Sequence, residues 1–410
     1  MGSQSKAQVS RNRDMISELP DSVLSHMLSF LETKYAVRTS VLSTRWKNIW
    51  ALVPIVNFEL EDRCPRPSKS KHASFLSFVD RVLLYRDSSH IQRFRFHCDI
   101  YPKDLFRIDG WIRTAIRRNV VELDLQFLLR NEGVRQMFEF PISVFSCKTL
   151  VTLKLSSNCL IYAPPKSGCF PNLKFLYVKF CYPDYDSIEQ LLSGCPRVED
   201  LTIEGELTTP YNFKLFVPRL KRLTITVWYL DEYIDPYISN VEYLSLSAHF
   251  LYLVLRECYR WILLSQLLKR SPNLECLILE YEEQGDDESY LSDETNSADD
   301  EENLGDGTNS EDEENSGEED SENEEYAKHH WWNREEPAPT CVLSHLKTVS
   351  ISGFKGREDE REVVKYLLKN GEVLEKMTIY MGDFMHSKEE FYKEFSLFQR
   401  ASKKFQVKFI

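Results

Sequence analysis

The chain has 410 residues, 42% of them hydrophobic, with 51 lysines and arginines against 64 aspartates and glutamates. That length and composition fit two or three folded units with a sizeable core. They exclude an integral membrane protein: apolar stretches are short, Trp261 to Leu264 being flanked by Arg260, Lys269 and Arg270, whereas a span needs roughly 18 apolar residues.

The net charge of -13 is unevenly spread, because residues 282–325 hold 22 acids and no lysine or arginine. Against the 51 basic residues only 42 acids remain elsewhere, so the rest of the chain carries a charge of +9. The first 13 residues are polar, with Lys6, Arg11 and Arg13 and no apolar core, and give no expectation of a secretory signal. The 10 cysteines, Cys64, Cys98, Cys147, Cys159, Cys169, Cys181, Cys195, Cys258, Cys276 and Cys341, form no Cys-x-x-Cys pair. Reduced, mostly buried thiols are expected rather than disulfides or zinc, hence a nuclear or cytoplasmic protein.

In chain order, the first elements fall between residues 14 and 50. Leu19 and Pro20 open a helix, with Asp21 at the positive end of its dipole. Val23, Leu24, Met27, Leu28 and Leu31 then make one apolar stripe over about three turns. A second helical pattern carries Tyr35, Ala36, Val37, Val41 and Leu42, and a third carries Trp46, Ile49 and Trp50. So small a unit cannot bury all these side chains by itself, so part of the stripe must face another protein or the rest of the chain.

The order Leu19, Pro20, Val23, Leu24, Met27, Leu28, then Ser40, Val41, Leu42, Ser43, Trp46 and Trp50 closely resembles the F-box. The resemblance implies docking onto the Skp-type adaptor of a cullin-RING ubiquitin ligase. Leu19, Pro20, Leu24, Leu28, Val41, Leu42 and Trp46 match the family's contact or core positions and are the candidate adaptor-binding residues. A helical hairpin packed on its own domain is the alternative from the residues alone.

After a helical linker over residues 54–89, one pattern recurs from residue 90: apolar-x-x-apolar-x-apolar, often opened by proline. The clearest copies run from Pro171 to Val178, Pro196 to Ile203, Pro218 to Ile225 and Pro272 to Leu279, and weaker ones begin at Ile91, Val120, Leu150, Val241, Leu346 and Leu374. Helical stretches lie between several of them, at Asp109 to Arg118, Asp186 to Ser193 and Tyr259 to Lys269. A short strand and a helix repeating at this spacing predict a solenoid with parallel strands, in which each unit hides its apolar face only by stacking on its neighbours. The irregular pattern resembles the degenerate leucine-rich repeats that commonly follow plant F-boxes. An ordinary α/β domain is the alternative.

Strand alternation sends the residues between and after the inward pair to the opposite face. Lys154, Tyr177, Lys179, Thr202, Glu204, Thr224 and Thr226 are therefore the candidate substrate face, with Asp124, Gln126, Ser156, Ser245, Ser247, Ile278 and Glu280 beside them.

Residues 282–333 interrupt the repeats. Their Glu, Asp, Ser, Asn and Gly offer too little apolar surface to offset ordering entropy, so an acidic disordered insertion is expected. Lengthening the loop this much costs only about 2 kcal/mol of closure entropy. Ser297, Ser310, Ser316 and Ser321 each have an acid three residues on, a pattern suited to acid-directed kinases. A solvating spacer is the plainer reading. His329 and His330, beside Trp331 and Trp332, lack the further ligands a metal would need.

Over 334–410 the stretch from Leu343 to Gly356, the helix pattern from Glu362 to Asn370 and the strand pattern from Leu374 to Ile379 closely resemble the FBD region of plant F-box proteins. A final helix over 387–402 and a strand from Phe405 to Phe409 are expected as a cap. The fold class is thus α/β: a three-helix F-box, an irregular leucine-rich-repeat solenoid over 90–281 and a C-terminal α/β cap.

The chain contains no Gly-x-Ser-x-Gly, Gly-x-Gly-x-x-Gly, phosphate-loop or His-Glu-x-x-His motif. An enzyme is not expected, nor a cofactor or metal. The resemblance implies a substrate-recognition subunit of an SCF-type ligase, with Skp-type adaptor, cullin and an unknown target protein as partners. An F-box scaffold or small-ligand receptor outside the ligase is the alternative. Basic groups such as Arg113, Arg117 and Arg118, or Lys214, Arg219, Lys221 and Arg222, alternate with buried positions and argue against nucleic acid.

Overall fold

In the computed structural model the described residues are 15–16, 18–60, 69–86, 90–129, 137–138, 142–157, 160–161, 170–180, 190–207, 213–230, 234–248, 260–281, 337–381 and 388–410. The acidic stretch with its four serines, His329, His330, Trp331 and Trp332 lie outside them, as does the start of the helix expected at Asp186. The chain forms two compact units, residues 1–205 with 216–220, and residues 206–215 with 221–410.

The first unit begins with helices Asp21–Leu28 and Thr33–Arg38 and a 3-10 segment Trp46–Leu52. Pro20 takes the N-cap with extended backbone, one residue earlier than expected, and its carbonyl accepts from the amides of Val23 and Leu24. Leu24, Leu28, Ala36, Trp46, Ile49 and Val53 close into one core, with Leu19, Trp50 and Ile55 against it.

Residues 54–89, expected as a helical linker, carry more than a helix. Ile55–Glu59 is a strand that pairs in parallel with Arg93–His97, and the helix Lys69–Tyr85 follows it. Val56 and Phe58 point into the core, and the Phe58 ring meets Phe94 at 5.9 Å. The segment is therefore the first repeat rather than a spacer.

From there the parallel ladder runs in chain order through strands Arg93–His97, Glu122–Phe127, Thr152–Ser157, Phe175–Phe180 and Asp200–Leu207. Each strand sends its apolar pair to one side: Phe94 and Phe96, Leu123 and Leu125, Leu153 and Leu155, Leu176 and Val178, Leu201 and Ile203 are all buried. Helix Leu105–Arg117 covers that side, with Ile108, Trp111, Ile112 and Ala115 inward and Trp111 packed on Phe96 at 5.0 Å. Stacking of these rows is what stabilises units that could not fold singly.

The second unit repeats the design. Strands Arg222–Leu230, Tyr243–Ala248, Cys276–Tyr281, Thr348–Phe354, Lys376–Met381 and Gln406–Phe409 pair in parallel in that order. Helices Arg260–Arg270 and Glu358–Asn370 lie between strands. Helix Lys388–Ser396 ends short of the expected 402 and sets Phe391 on Phe354 at 4.9 Å, while Phe395 meets Phe409 at 5.1 Å. The observed fold is α/β, a parallel-strand ladder preceded by a small helical module.

Candidate functional site

Two surfaces gather the residues singled out from the sequence. On the helical module, Leu24 (0% exposed), Leu28 (3%) and Trp46 (7%), expected at contact or core positions, lie in the core. Side chains with so little accessible surface hold the module together. Leu19 is half-buried against the core and Pro20 is exposed. Val41 (84% exposed) and Leu42 (65%) stand free of it.

Several exposed apolar side chains lie in the same small module: Met15, Ile16, Val23, Met27, Phe30 and Leu31. Phe30 was missed in the sequence, although its place after the stripe of helix Asp21–Leu28 was a usable signal. The helix start is tied down by Arg45, whose guanidinium donates to the Leu19 carbonyl and pairs with Asp21 Oδ1 at 3.0 Å. So much uncovered apolar surface on one small module is of the kind that marks interaction sites.

The second surface is the polar face of the ladder. In the first unit, parallel register puts Arg95, Asp124, Lys154, Tyr177 and Thr202 in one row and His97, Gln126, Ser156, Lys179 and Glu204 in the next. The expected Lys154, Tyr177, Lys179, Thr202 and Glu204 are thus neighbours. The Tyr177 hydroxyl donates to Glu204 Oε2 at 2.8 Å, and burial, followed by that carboxylate, holds the phenol well above its ordinary pKa. It stays a neutral donor at any physiological pH. Lys179 Nζ lies 3.3 Å from the same carboxylate.

The strand Arg93–His97 adds groups that sequence reasoning passed over. Arg93 Nε donates to Glu122 Oε2 at 2.7 Å, and Arg95 Nε, 3.4 Å from Asp124, donates to His97 Nε2 at 3.1 Å, itself 3.0 Å from Asp124 Oδ1. Their positions in the weak copy beginning at Ile91 were the available signal.

In the second unit, Thr224 shares a row with Ser245 and Ile278, and Thr226 with Ser247 and Glu280. Ser245 and Ser247 are buried there, so that part of the expected face is not open to solvent. Among the described residues no helix is long and apolar enough to cross a membrane. Cys98, Cys147, Cys195, Cys276 and Cys341 are free thiols.

A helical module of this shape in front of a parallel repeat ladder defines an F-box protein of the leucine-rich-repeat class. The F-box domain family model matches residues 16–57, the model described as "FBD-associated F-box protein At5g56370, LRR repeats" matches 108–260, and the FBD model matches 334–379. Among curated proteins of Arabidopsis thaliana, the chain is 31% identical to "FBD-associated F-box protein At5g38590" over 89% of its own length and 93% of that protein. It is 29% identical to "F-box/FBD/LRR-repeat protein At3g52680", with 92% and 87% covered, and 37% identical to "F-box/LRR-repeat protein At4g14103", with 55% and 58% covered. The chain belongs to the F-box/FBD/LRR-repeat family.

Proposed function

We propose that the protein is a substrate-recognition subunit of an SCF-type cullin-RING ubiquitin ligase. In this reading the F-box holds a Skp-type adaptor, and through it the cullin, while the polar ladder face holds a target protein. The chain itself makes and breaks no bonds. Its contribution is proximity, which raises the effective concentration of target lysines near the charged E2. The protein works in the nucleus or cytoplasm, where that machinery is.

One observation carries the reading. The module has a core of its own and still leaves Val41 and Leu42 mostly exposed. Leaving such side chains in water forgoes roughly 1.5 to 3 kcal/mol each, a gain available on docking before association entropy is subtracted.

Co-purification from cells tests it. The full chain is expected to retain the Skp-type adaptor and cullin, and a chain lacking residues 1–50 is expected to lose both. Failure of the full chain to retain the adaptor removes the ligase reading.

A further inference from the structure

We propose that the polar face of the first unit docks an extended acidic segment of a partner protein, one whose carboxylates recur about three residues apart. This rests on the reading that the ladder face holds the target, and names the chemistry of what is held.

The argument starts from which charges on the face are already satisfied. Glu122 is engaged by Arg93 and, at 3.8 Å, by Lys154 Nζ. Asp124 is engaged by His97 and Arg95, and Glu204 by Tyr177 and Lys179. The cations stand above them. Side chains of Arg93, Arg95, Lys154 and Lys179 are 37 to 49% exposed, against 14 to 26% for Glu122, Asp124 and Glu204. A guanidinium has five N–H donors and an ammonium three, and each of these cations commits only one or two to the carboxylates beneath. Spare donors and positive charge therefore face outward over strands Arg93–His97 to Phe175–Phe180, while Glu122, Asp124 and Glu204 are turned down and occupied; Glu59, beside His97, and Asp200, beside Phe175, flank the patch on its two outer strands.

Spacing then chooses the partner. Arg95 and Lys154 sit two strands apart in one row, which is roughly 10 Å at about 4.8 Å per strand. An extended polypeptide covers that in about three residues at roughly 3.3 Å each. Lys179 is one strand further and one row on, and the Phe175 ring, with Lys154 Nζ 5.7 Å from its centroid, gives a flat apolar contact beside Lys154. A nucleic-acid backbone, charged at every step, would have to cross the Glu122 and Asp124 column. Separated carboxylates would bridge it.

The test is selection of short random peptides displayed on phage against the full chain and against its Lys154→Glu/Lys179→Glu double variant, both checked by thermal unfolding. The wild type is expected to enrich peptides with Asp or Glu about three residues apart. A synthetic member of that pool should bind the double variant at least tenfold more weakly, or about 1.4 kcal/mol. Should the reversed chain unfold, Lys154→Gln/Lys179→Gln gives the same direction at smaller size. A wild-type pool no richer in acids than the starting library, or equal binding to the variants, overturns the proposal. So does single-stranded RNA binding more tightly than any selected peptide and being lost in the variants. Adaptor retention is read on the same samples: losing it with peptide selection intact sinks the ligase reading alone, and the reverse sinks this one alone.

Discussion

The buried guanidinium of Arg86 donates to the carbonyl of Val53, the last core residue of the F-box module. It reaches the His90 carbonyl as well, at 3.4 Å, while Arg118 donates to the carbonyls of Leu83 and Arg86 at 3.2 Å each. Nearby, the Asn57 amide donates to Thr33 Oγ1 at 2.7 Å. These bonds splice the module onto the first repeat, so the F-box is not a loosely tethered handle. Burial, then the neighbouring Arg118 charge, lowers the Arg86 pKa to about 10. Above that value the folded chain gives up a proton that the unfolded chain keeps, so this group makes stability rise with pH there and contributes no slope near neutrality.

Replacing Arg86 by methionine leaves the Val53 and His90 carbonyls without this donor. The loss is about 1.5 to 3 kcal/mol, lessened because a desolvated charge also disappears. Thermal unfolding of Arg86→Met should shift down by several degrees. An unchanged midpoint would mean that the splice does not hold the joint.

Leu24 has no exposed surface and lies at the centre of the module core. Leu24→Ala is expected to cost about 2 to 5 kcal/mol, read as a lower urea midpoint for the module's tryptophan fluorescence. Adaptor retention should fall with it, through unfolding rather than through a lost contact.

Glu360, 2% exposed, accepts the amides of Lys355 and Arg357 at 3.0 Å each and so holds the turn between Gly353 and Arg357. Gly353 and Gly356 have φ of 72° and 73°, the left-handed region that glycine tolerates best. Glu360→Ala should cost roughly 2 to 4 kcal/mol and Glu360→Gln less. Faster amide exchange at Lys355 and Arg357 is the local readout.

Cys341 is fully buried, its thiol donating to the Leu268 carbonyl at 3.1 Å, and burial raises its pKa to about 11 from a reference of 9.0. In that window the folded chain keeps a proton the unfolded chain has lost. Stability from this group is therefore complete below pH 9 and declines towards pH 11, by on the order of 2 kcal/mol. Cys341→Ala should flatten that decline in denaturation curves taken across the window. Native Cys341 should also resist thiol reagents at pH 8.

The repeats were legible because each strand must bury its apolar pair whatever its connecting loop does, so Leu176 with Val178 and Leu277 with Leu279 stand out at any loop length. Ile55–Glu59 follows the same rule behind Pro54, yet it abuts the apolar residues of the module and reads as their continuation. The faces of Val41, Leu42 and Trp46 were not legible. They lie in or beside short 3-10 turns, where no 3.6-residue period sorts inward from outward positions. Nor does anything in the sequence separate the buried Arg86 from the many surface arginines. Its role comes from the fold that brings Val53 to it.

The most direct measurement on the central claim is retention of the Skp-type adaptor by Val41→Ala/Leu42→Ala. Both side chains are exposed, so thermal stability should stay within about 0.5 kcal/mol of wild type, while adaptor retention falls by at least tenfold. Undiminished retention by the folded double variant would contradict the account.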